Sequence, residues 1–237
     1  MRRLPLRRLP QRLPRRPRDV VRPGALVLTL LVCSLLAIGC IEVQRSVEVS
    51  VTPGTVPEEI RGARWQELPV SYCIAAGDGD GFVSPEQLQS LTADAFSRWG
   101  VEATSSGPCD GAPERGNGVN EITWGTGDSA SGGSGEGGVF EAGYTRQLFR
   151  SCPGGCEGGA QSRIVEADIL LATTPPDRFR NEECLFSTLL HETGHFLGVP
   201  HLSSPAVMAP ASSDCPSELT DADLAALVEL YPALAGD

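Results

Sequence analysis

The chain has 237 residues and a formal net charge of −11, with 21% charged and 41% hydrophobic residues. This length allows one domain of ordinary size plus additional segments, and the hydrophobic content allows a packed core. The acidic balance argues against nucleic acid as a partner, because proteins that bind it usually carry a basic patch.

The first 39 residues predict a secretory signal. Residues 1–23 contain nine arginines, and residues 24–39 form an apolar run that is short for a membrane span. Residues 36–40 (LAIGC) resemble a bacterial lipobox, which implies that a lipidated Cys40 becomes the mature N-terminus. We therefore expect an exported protein, either a cell-envelope lipoprotein held at the membrane by Cys40 or a secreted form. Ordinary cleavage nearby and an uncleaved anchor are the alternatives.

Residues 40–64 predict a flexible tether, because they are polar and are interrupted by proline and glycine. Removal of residues 1–39 leaves 10 arginines against 29 acidic residues, a net charge of −19. Such a charge favours solubility and disfavours acidic substrates. We expect residues 65–237 to form the domain, as a monomer.

Six cysteines remain once Cys33 and Cys40 are set aside. An even number of cysteines in an exported chain predicts disulfides. Six cysteines allow 15 pairings, and the sequence does not choose among them. A cysteine-ligated metal is disfavoured, because the paired C-x-x-C spacing of such sites is missing.

The first half of the domain predicts two strands and a capped helix. Residues 68–74 alternate as in a strand, and residues 121–124 predict a second one. Ser84 and Gln87 match a capping box, and Pro85 suits the first helical position. The apolar residues that follow recur at helical spacing, with the aromatic ones expected in the core: Leu88, Leu91, Ala95, Phe96 and Trp99.

Residues 77–82 match only the middle of an EF-hand calcium loop. Ala76 stands where the first acidic ligand belongs, and Gln87 stands where the bidentate glutamate should be. We therefore interpret the segment as a turn, and a structural Ca²⁺ ion there is an unsupported alternative.

The second half begins with a glycine-serine run at residues 125–138 that is too poor in apolar residues to pack. Strands are predicted at 139–149 and 164–171, and a helix is predicted from 181–183 to Leu197. A last helix follows a capping box at residues 220–223. Its apolar stripe is expected to face the core: Leu224, Leu227, Val228 and Tyr231.

The predicted helix ending at Leu197 carries two histidines four residues apart, His191 and His195. Residues at this spacing share a helix face, so both imidazoles could bind one metal ion. Glu192 leaves the helix about 100° away from His191, so it could hold a water without ligating the ion.

Gly198 allows the chain to turn at the end of this helix, which would return His201 as a third ligand. Three protein ligands with an open fourth position are typical of catalytic zinc. All three histidines of the chain lie in this pattern, which predicts a single Zn²⁺ ion. A bare H-E-x-x-H also occurs by chance in helices that bind no metal, but the added glycine and third histidine argue against coincidence.

Residues 191–201 thus read H-E-x-x-H-x-x-G-x-x-H, the zinc signature of the metzincin peptidases. The order of elements over residues 65–232 resembles their matrixin branch, the relatives of matrix metalloproteases. Residues 206–208 (AVM) resemble that family's methionine turn, with Met208 as a hydrophobic floor under the zinc. Residues 219–231 resemble its last helix, and residues 166–169 resemble its edge strand.

The resemblance implies an α+β, zincin-like fold. It would contain a twisted, mixed but mostly parallel sheet, an active-site helix, the methionine turn and a C-terminal helix. We favour the disulfide pairs that join neighbours in this fold: Cys73–Cys109, Cys152–Cys156 and Cys184–Cys215.

The resemblance also implies a zinc metalloendopeptidase that binds a polypeptide in extended form. His191, His195 and His201 would hold the zinc, and zinc-activated water would attack the peptide bond with Glu192 as general base. The alternative is an envelope module that carries zinc and binds peptides without cutting them. Glu192 argues against that alternative, because a binder needs no base there. A zinc hydrolase of non-peptide amides is a third interpretation.

Overall fold

A five-stranded sheet and three α-helices form the part of the chain that the computed structural model describes, residues 58–77, 79, 81–111, 114–125, 142–210 and 214–234. The expected α+β class is therefore confirmed. The strands and helices are β1 (Val70–Ile74), α1 (Pro85–Arg98), β2 (Ala103–Pro108), β3 (Glu121–Gly125), β4 (Gly143–Ser151), β5 (Ser162–Ala172), α2 (Glu182–Phe196) and α3 (Asp221–Leu230).

The sheet has the strand order β2-β1-β3-β5-β4. All neighbouring strands are parallel except β4, which pairs antiparallel with β5 from Gly143 opposite Leu171 to Ser151 opposite Ser162. Strand β4 thus forms one edge of a mostly parallel sheet, and no strand in the described part of the chain pairs with its outer side.

Two details of the sheet differ from the sequence prediction. Residues 166–169 lie in β5, between β3 and β4, so the prediction that they form the edge strand was wrong. Strand β2 was missed, because its residues (ATSSGP) lack the large apolar side chains that mark a strand. It pairs with β1, from Ala103 opposite Val70.

Helix α1 begins as predicted and packs against α2. The capping box of Ser84 and Gln87 is present, and Phe96 and Trp99 are each 1% exposed. The Phe96 ring meets the Phe196 ring edge-on at 5.2 Å between centroids. The Trp99 indole N–H donates to the Leu190 carbonyl at 2.8 Å, which ties the end of α1 to the middle of α2.

Helix α3 also has the predicted capping box, but its inward face differs from the prediction. Leu224 was expected in the core and is 41% exposed. The buried positions are Asp223, Leu227 and Leu230, which share a face at spacings of four and three residues. Leu224 follows Asp223 directly, about 100° further round the helix, and so faces solvent.

The segment before β1 packs on the domain. Ile60 and Ala63 were assigned to the tether, yet both side chains are buried in the hydrophobic core. The Arg64 guanidinium donates to the Leu230 carbonyl at 2.6 Å, near the end of α3. Packing therefore begins before residue 65.

Three disulfides are present, and their pairing is the one favoured from the expected fold: Cys73–Cys109, Cys152–Cys156 and Cys184–Cys215. The last one joins the first turn of α2 to the segment before α3.

Several predictions fall on residues that the structure does not describe. These are the signal at 1–39, the lipidated Cys40, residues 41–57 of the tether, Asp78 and Asp80 of the turn, and residues 126–141 around the glycine-serine run. None of the described helices has both the length and the apolar character required to cross a membrane.

Candidate metal centre

Helix α2 presents His191 and His195 on one face. It begins at Asn181, whose side chain accepts the Cys184 N–H, and its first turn carries Glu182 and Glu183 at the positive end of the helix dipole. The two imidazoles are one turn apart and meet edge-on, with 4.7 Å between ring centroids. The helical spacing alone therefore brings these two side chains together.

The turn after α2 places the third histidine. Gly198 has φ +98°, and the N–H groups of Gly198 and Val199 donate to the carbonyls of His195 and Gly194. This is the Schellman arrangement, which favours glycine at the left-handed position. A Cβ at Gly198 would also lie 2.5 Å from the Ala63 carbonyl oxygen, so glycine is required here for space as well.

The three predicted ligands lie together. The His201 ring centroid is 4.6 Å from that of His195 and 5.3 Å from that of His191. One nitrogen from each ring belongs to a group whose atoms lie within 4.8 Å of one another. One other group among the described residues meets this criterion, but two of its members are Cys73 and Cys109, whose sulfurs form a disulfide.

Backbone carbonyls hold two of the imidazoles in one orientation. His191 Nδ1 lies 2.7 Å from the Val207 carbonyl oxygen, and His195 Nδ1 lies 2.9 Å from the Val199 carbonyl oxygen. A carbonyl only accepts, so each Nδ1 carries a proton, and Nε2 is the nitrogen of each ring that is left to face a metal ion. His201 Nδ1 is buried and has no hydrogen-bond partner among the described residues.

The electrostatics of the cluster keep two of the imidazoles neutral. Burial and the nearby rings of His191 and His201 lower the pKa of His195 well below its usual value. Burial and the ring of His191 lower the pKa of His201 to about 4. Both rings therefore carry a lone pair at neutral pH, as a metal ligand requires.

Glu192 follows His191 directly in α2, is buried, and is not a member of the histidine nitrogen group. Its side chain is 4% exposed. The Thr145 hydroxyl, on β4, lies 2.8 Å from Glu192 Oε2 and 2.9 Å from the Glu192 carbonyl oxygen. The carboxylate is thus held between the zinc-motif helix and the edge strand.

Met208 and Trp99 pack against α2 at Gly194, which lies between His191 and His195 in sequence. Met208 is fully buried, and a Cβ added at Gly194 would overlap Met208 Sδ and the Trp99 indole. Gly194 therefore lets α2 approach both side chains closely. The predicted place of Met208 under a zinc ion stays a prediction.

Asp223 holds the turn that carries Met208. Its carboxylate accepts the N–H groups of Val207 and Met208, each at 3.0 Å, and also the N–H and hydroxyl of Thr220. Burial raises the pKa of Asp223, but these hydrogen bonds outweigh it and lower the pKa overall. Because Val207 also accepts from His191, the start of α3 is connected to the histidine cluster.

Side chains from three parts of the domain satisfy the carbonyls at the end of α2. Gln147 on β4 donates to the His195 carbonyl, Trp65 to that of Phe196, and Tyr231 to that of Leu197. The last carbonyls of a helix have no partner within it, so these bonds fix where α2 ends relative to the sheet.

The sequence analysis did not identify Thr145, and it treated Asp223 only as a helix-capping residue. The capping box is a local pattern and could be recognised. The contact of Thr145 with Glu192 depends on the register of β4 and on the packing of α2, and no local pattern in the sequence marks it.

No protein-family model matches the chain, and no curated protein sequence matches it significantly. The arrangement itself is three clustered imidazoles, of which those of His195 and His201 are kept neutral, together with the buried Glu192 that Thr145 contacts from β4. Chemically, it can hold a divalent cation and move a proton next to it.

Proposed function

We propose that the protein is a zinc-dependent metalloendopeptidase of the metzincin type, similar to the matrixins. One observation carries the proposal. One nitrogen of each of His191, His195 and His201 lies within 4.8 Å of the other two, and the buried Glu192 directly follows the first of them in α2.

The donor set fits zinc. Three imidazole nitrogens are borderline-soft ligands, and an all-histidine set with no fourth protein ligand is typical of catalytic zinc. The bonds from His191 and His195 to backbone carbonyls supply the outer contacts that orient such ligands. When bound, a zinc ion supplies Lewis-acid chemistry by acidifying water and polarising a carbonyl.

Glu192 acts as general base and then as general acid. It takes a proton from the attacking water and delivers it to the amine nitrogen that leaves when the peptide C–N bond breaks. Burial keeps bulk water away from Glu192, and the Thr145 hydroxyl bonds to its carboxylate.

Strand β4 binds the substrate. Among the described strands it is an edge strand, and it contacts α2, the helix of the candidate site, through Thr145 and Gln147. An extended peptide adds to such an edge through main-chain hydrogen bonds. These bonds bring a peptide bond to Glu192 whatever the side chains of the substrate are.

The finer fold assignment has support from three features. These are the single antiparallel edge strand, the buried Met208 packed at Gly194 of the motif, and the capped helix α3 that follows it. The three disulfides support export to an oxidising compartment. Anchoring through a lipidated Cys40 remains a prediction from the sequence.

The test uses zinc-loaded protein and an unstructured protein substrate, with cut sites mapped by mass spectrometry. The wild-type protein should cut internal peptide bonds, and a chelator should stop the cleavage until zinc is restored. Glu192→Gln should keep its zinc, measured by atomic emission, and lose at least about a thousandfold in turnover because the base is gone. A wild-type protein that binds zinc but cuts none of many substrates would favour the peptide-binding module instead.

A further inference from the structure

Two residues of β4 face Glu192. A Cβ at Gly143 would lie 3.3 Å from Glu192 Cγ and 3.0 Å from Thr188 Cγ2, so glycine there leaves room for the side chain of Glu192. Thr145, two residues on and therefore on the same face of the strand, reaches Glu192 Oε2 at 2.8 Å. The edge strand thus both accommodates the aliphatic part of Glu192 and contacts its carboxylate.

The Thr145 hydroxyl restrains a side chain that otherwise has three rotatable bonds. A buried carboxylate is costly unless it accepts hydrogen bonds, and a bond to an ionised acceptor is stronger than a neutral one. A hydroxyl can donate or accept, and the Glu192 carbonyl oxygen at 2.9 Å offers it a second acceptor. Both contacts join β4 to the same residue of α2.

We propose that Thr145 is a positioning residue that holds the Glu192 carboxylate in its working orientation. The inference rests on the proposed function of Glu192 as general base and adds a residue outside the zinc motif. Among the described residues, the Thr145 hydroxyl bonds to Glu192 and to none of the three histidine rings, so it acts through Glu192.

Strand β4 also makes a hydrogen bond to α2 near the end of that helix. Gln147 donates to the His195 carbonyl, while Thr145 bonds at Glu192 one turn earlier. The edge that would bind the substrate backbone is therefore attached directly to the helix that carries the base. Strand β4 would therefore set both the position of the substrate backbone and the position of the Glu192 carboxylate.

The test compares three substitutions. Thr145→Val keeps the shape of the side chain and removes its hydroxyl, and Thr145→Ser keeps the hydroxyl. Thr188→Val is the matched control, because Thr188 lies one turn before Glu192 and its hydroxyl bonds to the Cys184 carbonyl at 3.0 Å.

With zinc-loaded protein and a fluorogenic peptide, Thr145→Val should lower kcat about ten- to a hundredfold and leave KM within about twofold. Thr145→Ser should retain kcat within about threefold, and Thr188→Val should match the wild type. Equal zinc content in all four proteins excludes loss of the metal as the cause. If Thr145→Val does not fold, Thr145→Ala takes its place.

A second measurement does not depend on activity. Crystal structures of the zinc-loaded proteins should show one Glu192 orientation in the wild type and in Thr145→Ser, and several in Thr145→Val. A single, unchanged orientation in Thr145→Val overturns the inference, as do wild-type kcat in that variant or equal losses in the valine and serine variants. A wild-type protein that cuts nothing contradicts the proposed function instead, and the crystallographic comparison still decides whether Thr145 holds Glu192.

Discussion

Buried carboxylates determine how the residues around the candidate site are arranged. Glu192, Asp168 and Asp223 are 4%, 1% and 0% exposed. A buried carboxylate requires hydrogen-bond donors, so each of the three brings a particular donor to it. Glu192 has the Thr145 hydroxyl, Asp168 has the Arg146 guanidinium, and Asp223 has two backbone N–H groups.

Asp168 makes the stability of the fold depend on pH. Burial raises the pKa of Asp168 from 3.8 to about 6, although the Arg146 guanidinium opposes the change and the Glu166 carboxylate adds to it. Between these two pH values the folded protein binds more protons than the unfolded chain. The contribution of Asp168 to the free energy of unfolding therefore falls as pH rises through this interval.

Asp168→Asn cannot titrate, so we expect its free energy of unfolding, relative to the wild type, to rise from about pH 4 to about pH 7. Urea denaturation at several pH values measures this difference. The exposed Asp221→Asn serves as control and should give a difference that does not vary with pH in this way. If the stability of Asp168→Asn relative to the wild type stayed constant or fell over this pH range, the raised pKa assigned to Asp168 would be wrong.

At the scale of elements, the ends of α2 and α3 connect the zinc motif to the rest of the domain. The end of α2 is bonded to Trp65, Gln147 and Tyr231, which come from the N-terminal segment, the edge strand and the end of α3. The start of α3 binds the backbone of Val207 and Met208 through Asp223. The position of the histidines thus depends on contacts between elements that are distant in sequence.

Asp223→Ala should lower both stability and zinc affinity. Two buried N–H groups would lose their acceptor and α3 would lose half of its capping box, which we expect to cost about 2–4 kcal/mol. The Val207 carbonyl would no longer be held against His191 Nδ1, so zinc affinity should fall about ten- to a hundredfold. Urea denaturation and competition with a zinc chelator measure the two effects.

The control for this prediction is Asp221→Ala, which changes an exposed aspartate in the same first turn of α3. It should cost less than about 1 kcal/mol and leave zinc affinity unchanged. If the two variants had equal effects, Asp223 would act only through the helix dipole, and the proposed connection to the histidines would be wrong.

At the scale of the whole molecule, disulfides join segments that the sheet alone does not hold. Cys184–Cys215 spans 31 residues and ties α2 to the segment before α3, whereas Cys152–Cys156 spans four residues between β4 and β5. A longer loop loses more conformational freedom in the unfolded chain when it is closed.

We therefore expect replacement of Cys184 and Cys215 by serine to lower stability by about 3–4 kcal/mol, against about 2 kcal/mol for Cys152 and Cys156. Thermal and chemical denaturation show which of the two double variants loses more stability. The reverse order would show that native packing around each bridge, and not loop length, sets its contribution.

The local patterns of the sequence were sufficient for the helices and the candidate ligands. The caps at Ser84 and Thr220 and the spacing of His191 and His195 involve neighbours within one or two helical turns. Such interactions are readable because the helix repeat alone decides which side chains meet. Their chemical roles remain predictions until zinc binding and cleavage are measured.

The features that only the tertiary structure decided depend on pairing and packing between segments that are distant in the sequence. Strand β2 carries no hydrophobic alternation, and β4 is the edge only because β5 lies between it and β3. The exposure of Leu224 and the contact of Thr145 with Glu192 likewise follow from which faces pack together. Strand order, register and packing bring together residues far apart in the chain, so short-range patterns of residue type do not determine them.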